Sequence, residues 1–299
     1  MQDRLDSIGD VAISDIIGLA GTPVYVYDSA IMARQVARMH SAFAGMPVRI
    51  MYACKALSNI NVLRRMHKLG TGLDTVSIDE VELGLRAGFA PQEILFTPNM
   101  VGFREYLRAV ELGVHINIVS ISVLEHFGHD FGGTVPVCIR VNPPILAGGH
   151  ARIRPGPLAS QFGISTHPLR HVERIVASHG MHINGLHMHT GSDILDTEVF
   201  LQAAEILFET AEHFPELRFL DMGSGFKVPY KPDDIETDIE DLGLRLRERH
   251  SAFNLQRSIP VELWFEPGKF LVSESGVLLV SVNQVKQTTA TVFAGVDSG

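Results

Sequence analysis

The segment Val48-Arg49-Ile50-Met51-Tyr52-Ala53-Cys54-Lys55-Ala56 combines an apolar, β-prone run with a lysine near its end. Leu57-Ser58-Asn59 follows as a turn into an amphipathic helix, so Lys55 lies where a strand ends. An amine at this rigid, exposed position forms a Schiff base with an aldehyde cofactor if desolvation lowers its pKa. A solvated surface lysine is the commoner role of such a residue, so the rest of the chain has to decide between the two.

The strand-then-helix unit recurs along the chain. Strands are predicted at residues 48–54, 72–76, 93–97, 114–118, 135–142, 183–189, 217–222 and 261–265, with helical patterns in the gaps between them. Eight alternating units predict an α/β protein built on a (β/α)8 TIM-type barrel, and an open doubly wound sheet is the less favoured alternative. We assign residues 29–274 to this barrel.

The alternation ends after the eighth strand. Residues 276–282 and 290–296 are strand-like with no helix between them, so a β structure begins near residue 275. Two strands do not make a stable sheet by themselves, so they either pack on the barrel or are followed by more chain. We assign residues 275–299 to the beginning of a truncated C-terminal β domain, and residues 1–28 to an N-terminal segment whose strand is a candidate to pair with it.

The composition narrows the function. The chain has 299 residues, 45% hydrophobic and 20% charged, which is typical of a soluble globular protein. A net charge of -9 without a basic run argues against nucleic acid and against an anionic membrane surface as partners. Cys54 and Cys138 lie in apolar strand-like runs, which indicates no disulfide and a reducing, cytoplasmic setting. No signal peptide or membrane span is predicted.

The carboxyl ends of the predicted strands are rich in residues that can do chemistry. In a (β/α)8 barrel the reactive residues occupy these ends. They carry Lys55 after the first strand, Arg140 on the fifth, His187 to Ser192 on and after the sixth, Gly223 to Gly225 after the seventh, and Glu266 to Lys269 after the eighth. The glycines, with Ser192, allow backbone N–H groups to approach a phosphate, although a lone glycine turn is weak support.

Two histidines and a glutamate leave alternatives open. His187 and His189 alternate, so both imidazoles face the same side of the strand. They can bind a metal, stack on a cofactor ring or form hydrogen bonds in the core, but no convincing set of further metal ligands accompanies them. Glu266 follows an apolar strand, where a carboxylate needs a partner such as a protonated pyridine nitrogen or a neighbouring Lys or Arg.

Four motifs, in this order, carry a resemblance to a known family. They are Tyr52-Ala53-Cys54-Lys55-Ala56, His187-Met188-His189-Thr190-Gly191-Ser192, Gly223-Ser224-Gly225-Phe226 and Glu266-Pro267-Gly268-Lys269. Together they resemble the fold type III, alanine-racemase-like decarboxylases that use pyridoxal 5′-phosphate. The resemblance runs from about Tyr25 to the last residue, and the ordered set is far more specific than any single motif.

The resemblance implies a role for each motif. Lys55 binds the cofactor covalently, His189 stacks on the pyridine ring, and these two residues are catalytic. Glu266 holds the ring nitrogen, and Lys269 contacts the substrate. The cofactor-binding residues implied in this way are Lys55, Arg140, His189, Ser192, Gly223, Ser224, Gly225, Glu266 and Gly268. No metal is implied.

The implied reaction is decarboxylation of the small amino acid meso-2,6-diaminopimelate to L-lysine and CO2, in a homodimer where the β domain is complete. Alternatives are a decarboxylase of ornithine, arginine or carboxynorspermidine, a non-catalytic cofactor-binding barrel, and a metal-dependent hydrolase built on the two histidines. Lys269 stands where the family usually has arginine, and a lysine keeps the positive charge but loses the bidentate grip on a substrate carboxylate. We also expect a loop of residues 143–160, with Arg152 and Arg154, to lie over the site.

Overall fold

The computed structural model describes residues 6–142, 163–165 and 169–298. The expected loop of residues 143–160, with Arg152 and Arg154, lies outside the described residues. The described strands and helices, in chain order, are β1 (Ser7–Ile8), β2 (Val11–Ala12), α1 (Ile13–Ala20), β3 (Val24–Tyr27), α2 (Ser29–Ala42), β4 (Val48–Ala53), α3 (Ile60–Lys68), β5 (Gly72–Thr75), α4 (Ile78–Ala87), β6 (Ile94–Phe96), α5 (Phe103–Leu112), β7 (His115–Ile118), α6 (Ile121–Phe131), β8 (Val137–Asn142), β9 (Ile164–Ser165), α7 (Leu169–His179), β10 (Ile183–His187), α8 (Thr197–Ala211), β11 (Phe219–Asp221), α9 (Ile239–Leu255), β12 (Glu262–Phe265), α10 (Lys269–Val272), β13 (Gly276–Leu279), β14 (Val282–Gln287) and β15 (Val292–Val296).

Eight parallel strands close into a barrel. They pair in the order β4-β5-β6-β7-β8-β10-β11-β12, and β12 pairs with β4 to complete the ring. The (β/α)8 prediction is therefore confirmed, and the open doubly wound sheet is excluded. The two-residue strand β9 adds to the free end of β8 and does not enter the ring, because β8 also pairs with β10.

Helices cover the outside of the barrel and begin and end at residues with identifiable roles. Ser77 accepts the backbone N–H of Glu80 at 3.2 Å at the start of α4. Gly88 and Gly113 end α4 and α5 in the left-handed conformation, which glycine adopts without strain. No helix among the described residues is both long and apolar enough to cross a membrane.

The interior of the barrel is filled by a small apolar cluster. The Phe219 and Trp264 rings stack with centroids 3.7 Å apart, and Met51, Leu95 and Cys138 complete the cluster. A side chain at Gly185 would place its Cβ 2.2 Å from the Phe219 ring, so a residue without a Cβ is needed beside it. Because this cluster fills the interior, the polar residues that follow it along the strands meet at the carboxyl end of the barrel.

The β region after the barrel consists of two separate pairings. β3 pairs antiparallel with β13, and β14 forms an antiparallel hairpin with β15. The strand-like run predicted at 276–282 is broken after Leu279, and Val282 instead begins β14. The strand β14 was not predicted as such because its sequence, Val-Asn-Gln-Val-Lys-Gln, is largely polar. All six of its residues are exposed, so the strand lacks the apolar pattern of a buried one.

Candidate active site

Lys55 lies in a short 3₁₀ turn, Cys54–Ala56, directly after β4, as predicted from the sequence. Its Nζ is 3.6 Å from Oδ2 of Asp74, on the neighbouring strand β5. Lys55 keeps 57% of its side-chain surface exposed, whereas Asp74 keeps 1%. The Asp74 carboxylate raises the pKa of Lys55 and outweighs the opposing effect of burial. The sequence argument considered desolvation, which does act to lower this pKa, but it lacked the carboxylate on the next strand, which reverses the net shift.

The pKa of Asp74 is itself shifted by the surroundings of the carboxyl group. Burial, together with the nearby Glu266, raises the pKa of Asp74 to about 6, although Lys55 and His187 oppose the rise. At neutral pH the Asp74 carboxylate is still ionised, so Lys55 and Asp74 form an ion pair at the end of two adjacent strands.

A polar layer crosses three neighbouring strands. His187 on β10 is in register with Arg140 on β8 and with Asp221 on β11. Burial lowers the pKa of His187 well below its ordinary value, so its ring is neutral. His187 Nε2 lies 3.1 Å from Oε2 of Glu266, and the neutral ring donates its proton to this carboxylate. Through this hydrogen bond from His187, the layer of Arg140, His187 and Asp221 is joined to Glu266, which follows β12.

Asp221 is the second carboxyl group beside Glu266. Its Oδ1 accepts the backbone N–H of Gly223 at 2.8 Å. Burial and the charge of Glu266 raise the pKa of Asp221 well above its ordinary value, which disfavours a second negative charge beside Glu266. The other neighbour of Glu266 is the neutral imidazole of His187.

Several buried polar atoms of this region have no hydrogen-bond partner among the described residues. They include Oδ1 of Asn117, Nδ1 of His187, Oδ2 of Asp221 and Oε1 of Glu266. Buried polar groups in proteins are nearly always paired, so a concentration of unpaired ones indicates a site built for a polar ligand. Oε1 of Glu266 in particular is placed to accept a hydrogen bond from a ligand such as a protonated ring nitrogen.

The turn after β11 requires glycine at two positions. Gly223 has φ +62°, and a Cβ there would lie 2.6 Å from the carbonyl oxygen of Met188. Gly225 has φ +118°, and a Cβ there would lie 2.3 Å from the carbonyl oxygen of Gly191. Only glycine combines these φ values with so close an approach of two loops. The arrangement gives a backbone cradle of the kind that binds a phosphate.

His189 lies against this turn. The backbone N–H of Ser224 donates to His189 Nδ1 at 3.4 Å. Burial lowers the pKa of His189 to about 4, and the nearby Glu266 only partly opposes this effect. The ring is therefore neutral and its proton lies on Nε2, so it offers a flat uncharged face to a ligand in the cavity.

One cavity of about 300 Å³ brings most of the predicted residues together. Its lining includes Lys55, His189, Ser192, Ser224, Gly225, Glu266, Gly268 and Lys269. Arg140 and Gly223 are not on its wall: Arg140 belongs to the polar layer, and Gly223 supports the glycine turn. A larger surface cleft of about 660 Å³, beside Arg34 and Pro232, contains none of the predicted site residues.

Asp74 and Asp221 are site residues that the sequence reasoning missed. Each is a carboxylate in a short, fully buried strand, Gly72–Thr75 and Phe219–Asp221. The argument that a buried carboxylate needs a partner, which identified Glu266, applied equally to both.

Asp193, which lines the cavity, and Tyr230, which lines the larger surface cleft, were also missed. They contact Lys269 and follow different strands of the barrel. Asp193 carried no periodic signal, and Tyr230 belongs to a stretch with no regular secondary structure.

A metal site is a further possibility for the central cluster. Among the described residues, His187, Asp221 and Glu266 bring one ligand atom each to within 4.8 Å of one another. His189 is not a member, so the site postulated from the two histidines is not the one that forms. His187 Nε2 is already hydrogen-bonded to Glu266, and Lys55 has no role in a metal cluster. The set of residues fits an aldehyde cofactor better, because it uses the lysine, the glutamate and the glycine turn together.

Comparisons with known proteins agree with this geometry. Residues 29–273 match the family model described as "Pyridoxal-dependent decarboxylase, pyridoxal binding domain". The chain is similar to diaminopimelate decarboxylase of Methanothermobacter thermautotrophicus, with 34% identity over 96% of this chain and 69% of that protein. It is 31% identical to the Haemophilus influenzae enzyme of the same name, over 97% of this chain and 71% of the other. A solved structure of diaminopimelate decarboxylase from M. jannaschii in complex with L-lysine superimposes with a TM-score of 0.86 at 25% identity, covering 97% of this chain and 70% of that one.

Proposed function

Because the chain belongs to the family of pyridoxal-dependent decarboxylases, we propose that it converts meso-2,6-diaminopimelate to L-lysine and CO2. In this reaction the bond between the D-configured Cα and its carboxylate breaks, CO2 leaves, and a proton is added at the same carbon. The observation that carries the proposal is the single cavity lined by Lys55, His189 and Glu266 together with the glycine turn.

Lys55 is the residue we assign to covalent attachment of pyridoxal 5′-phosphate. Its Nζ attacks an aldehyde only after losing a proton, and the Asp74 carboxylate 3.6 Å away holds that proton on the amine. Asp74 therefore sets the pH at which Lys55 becomes reactive. When bound, the cofactor withdraws electrons from the substrate Cα so that the carboxylate can depart.

Glu266 is the residue we assign to the ring nitrogen of the cofactor. Its Oε1 is buried and has no hydrogen-bond partner among the described residues, while its Oε2 is held by His187. The raised pKa of Asp221 disfavours a second negative charge beside it. A lone carboxylate in a buried site stabilises a cation strongly, so this arrangement favours a protonated ring nitrogen.

The remaining cofactor-binding residues are assigned to the ring face, the phosphate and the ring hydroxyl of the cofactor. The neutral His189 ring is placed to stack on the cofactor, and Ser192 and the turn of Gly223 to Gly225 are assigned to the phosphate. Gly268 lies against Ala53 and Ala56, beside Lys55, so it keeps this wall of the cavity free of side-chain atoms. Arg140 is assigned a position near the ring hydroxyl.

The proposed reaction is tested with purified, cofactor-loaded chain. Incubation with meso-2,6-diaminopimelate is expected to release CO2 and L-lysine in equal amounts, whereas L,L-diaminopimelate is expected to release neither. Lys55→Ala is expected to lose both the borohydride-trappable cofactor and the CO2 release. Lys68→Ala, which removes an exposed lysine at the end of α3, is the matched control and is expected to behave as the unchanged chain. CO2 release from ornithine or arginine, but not from diaminopimelate, would contradict the proposed substrate.

Three further assignments are proposals of the same kind. We propose a barrel of residues 29–274 followed by a β domain from 275, which is supported by the change from alternating units to β13, β14 and β15. We propose a homodimer, supported by exposed apolar side chains such as Val285 and Phe293 on the β14–β15 hairpin, and sedimentation tests it. A cytoplasmic location is supported by the two free, buried cysteines and is tested by fractionation.

A further inference from the structure

Asp74 receives a chain of side-chain hydrogen bonds that begins two strands away, on β7. The Asp74 carboxylate, on β5, accepts a hydrogen bond from the side chain of Thr97, the residue directly after β6. Thr97 Oγ1 in turn accepts from Nδ2 of Asn117, on β7, at 3.4 Å. On its other side Asp74 faces Lys55, whose Nζ is 3.6 Å from Oδ2. Thr97 and Asn117 have no part in the assignments made above.

Strand pairing places the two donor residues side by side. Phe96 on β6 is in register with Ile116 on β7. Thr97 and Asn117 are the residues that follow them, so they are neighbours across these two strands. The backbone N–H of Thr97 donates to the carbonyl oxygen of Thr75 at 2.8 Å, which holds Thr97 against the end of β5. The barrel backbone therefore fixes the positions of both donors.

The three polar side chains are withdrawn from water. Asn117 is completely buried, Asp74 is 1% exposed and Thr97 is 6% exposed. A hydroxyl or an amide at this depth needs hydrogen-bond partners, and a hydrogen bond to a charged group is stronger than one between neutral groups. Thr97 and Asn117 thus act on the carboxylate where water does not compete with them.

The direction of the chain follows from the protons that each group has to donate. The Nδ2 group of Asn117 donates to the oxygen of Thr97, so this oxygen serves as an acceptor towards β7. The single hydroxyl proton of Thr97 is then donated to Asp74, whose ionised carboxylate can only accept. Asn117 thereby orients the Thr97 hydroxyl, and Thr97 orients the Asp74 carboxylate.

We propose that Thr97 and Asn117 are positioning residues that keep the Asp74 carboxylate ionised and directed at the amine of Lys55. Neither residue lines the described cavity, and both act through Asp74. This inference rests on the proposed function, in which Lys55 attaches the cofactor. It adds two residues that control how readily the amine leaves its ion pair and becomes reactive.

The charges around Asp74 make the Thr97 hydrogen bond important. Burial, followed by the charge of Glu266, raises the pKa of Asp74 to about 6, and the hydrogen bond from Thr97 opposes the rise. Without this hydrogen bond more of Asp74 is protonated at neutral pH, and a neutral Asp74 does not hold the proton on Lys55. Loss of the hydroxyl should therefore make the amine more reactive. The charged and titratable groups that face Asp74 are Cys54, Lys55, Glu80, Arg140, His187, Asp221 and Glu266.

The labelling rate of Lys55 tests the proposal in the full chain freed of cofactor. An amine-directed reagent is applied at pH 7, and the labelled Lys55 peptide is quantified by mass spectrometry. Thr97→Val, which replaces the hydroxyl by a methyl group, is expected to label at least about threefold faster than the unchanged chain. Thr97→Ala should also label faster, whereas Thr97→Ser, which keeps the hydroxyl, should label at the unchanged rate.

A double-mutant cycle with Asp74→Asn separates positioning from packing. Thr97→Val should have no further effect on the labelling rate in the Asp74→Asn chain, because the carboxylate through which Thr97 acts is absent. Asn117→Leu should accelerate labelling less than Thr97→Val does, and it should have no effect in Asp74→Asn. Thr71→Val is the matched control and should leave the rate unchanged. Thr71 is a buried threonine just before β5, and its hydroxyl has no hydrogen-bond partner among the described residues.

Two results would overturn the proposal. Equal acceleration by Thr97→Val with and without the Asp74 carboxylate would mean that the hydroxyl affects packing alone. A rate that is unchanged or lower in both Thr97→Val and Thr97→Ala would mean that Thr97 does not hold the carboxylate towards Lys55. Labelling requires no substrate, so failure of the proposed function is seen separately, as absence of L-lysine formation from meso-2,6-diaminopimelate.

Discussion

Replacing Asp74 by asparagine is expected to lower the pKa of Lys55. Asp74 Oδ2 is 3.6 Å from Lys55 Nζ, and the replacement removes a charge while keeping the shape of the side chain. With an effective dielectric constant of about 40, chosen because more than half of the Lys55 side chain is exposed, the charge contributes about 2 kcal/mol. This energy is lost from the ammonium form of Lys55 alone, so the pKa of Lys55 falls.

The pKa is measured from the pH dependence of Lys55 labelling by an amine-directed reagent, with the labelled peptide quantified by mass spectrometry. The free amine reacts and the ammonium does not, so the midpoint of labelling should move to lower pH in Asp74→Asn. Asp79→Asn, which alters an exposed residue in the first turn of α4, should leave the midpoint unchanged. A midpoint that stays fixed or rises in Asp74→Asn would refute the role of Asp74 as the group that holds the proton on Lys55.

Three more outcomes are expected. The pKa of Asp74 rises on folding from 3.8 to about 6. Protonated Asp74 therefore contributes to the free energy of unfolding below pH 3.8, and this contribution is lost as the pH rises through about 6. Asp74→Asn should therefore gain up to about 3 kcal/mol relative to the unchanged chain between about pH 4 and pH 7.5 in urea unfolding, and no gain would contradict the burial argument. Gly225→Ala should lose about 3 kcal/mol of unfolding free energy, because its Cβ meets Gly191 O at 2.3 Å. Gly70→Ala, with φ +82° but nothing within 4 Å, should lose only about 1 kcal/mol, and equal losses would argue against the steric explanation. Glu266→Gln should keep the borohydride-trappable cofactor but release CO2 at least about a hundredfold more slowly, and an unchanged rate would remove Glu266 from the ring nitrogen.

Much of the fold was readable in the sequence because several barrel strands are buried and largely apolar. β4, predicted at 48–54, is observed at Val48–Ala53, and β8, predicted at 135–142, is observed at Val137–Asn142. Burial on both faces leaves a continuous hydrophobic signal, which sequence patterns detect well. The sequence pattern did not predict β14 because an exposed strand needs no apolar residues and so gives no hydrophobic signal.

The candidate site was readable only in part. Lys55, His189 and Glu266 were identified because they stand at strand ends in motifs with recognisable chemistry. Asp221 was overlooked although its carboxylate ends an apolar, strand-like run, and the sequence did not show that it lies near Glu266, which is 45 residues further along the chain. The same holds for Asp193, whose partner Lys269 follows a different strand.

The order of amino acids was enough to predict the alternation of strands and helices, the family motifs and the order in which the reactive residues reach the end of the barrel. How those residues act on one another became visible only in the folded chain: the ion pair of Lys55 with Asp74, the His187 hydrogen bond to Glu266, and the hydrogen bond of Lys269 to Asp193. The reason is that periodicity is a local property of the chain. A charge or a hydrogen bond depends on distances of a few ångströms between residues far apart in sequence, and only closure of the barrel fixes those distances.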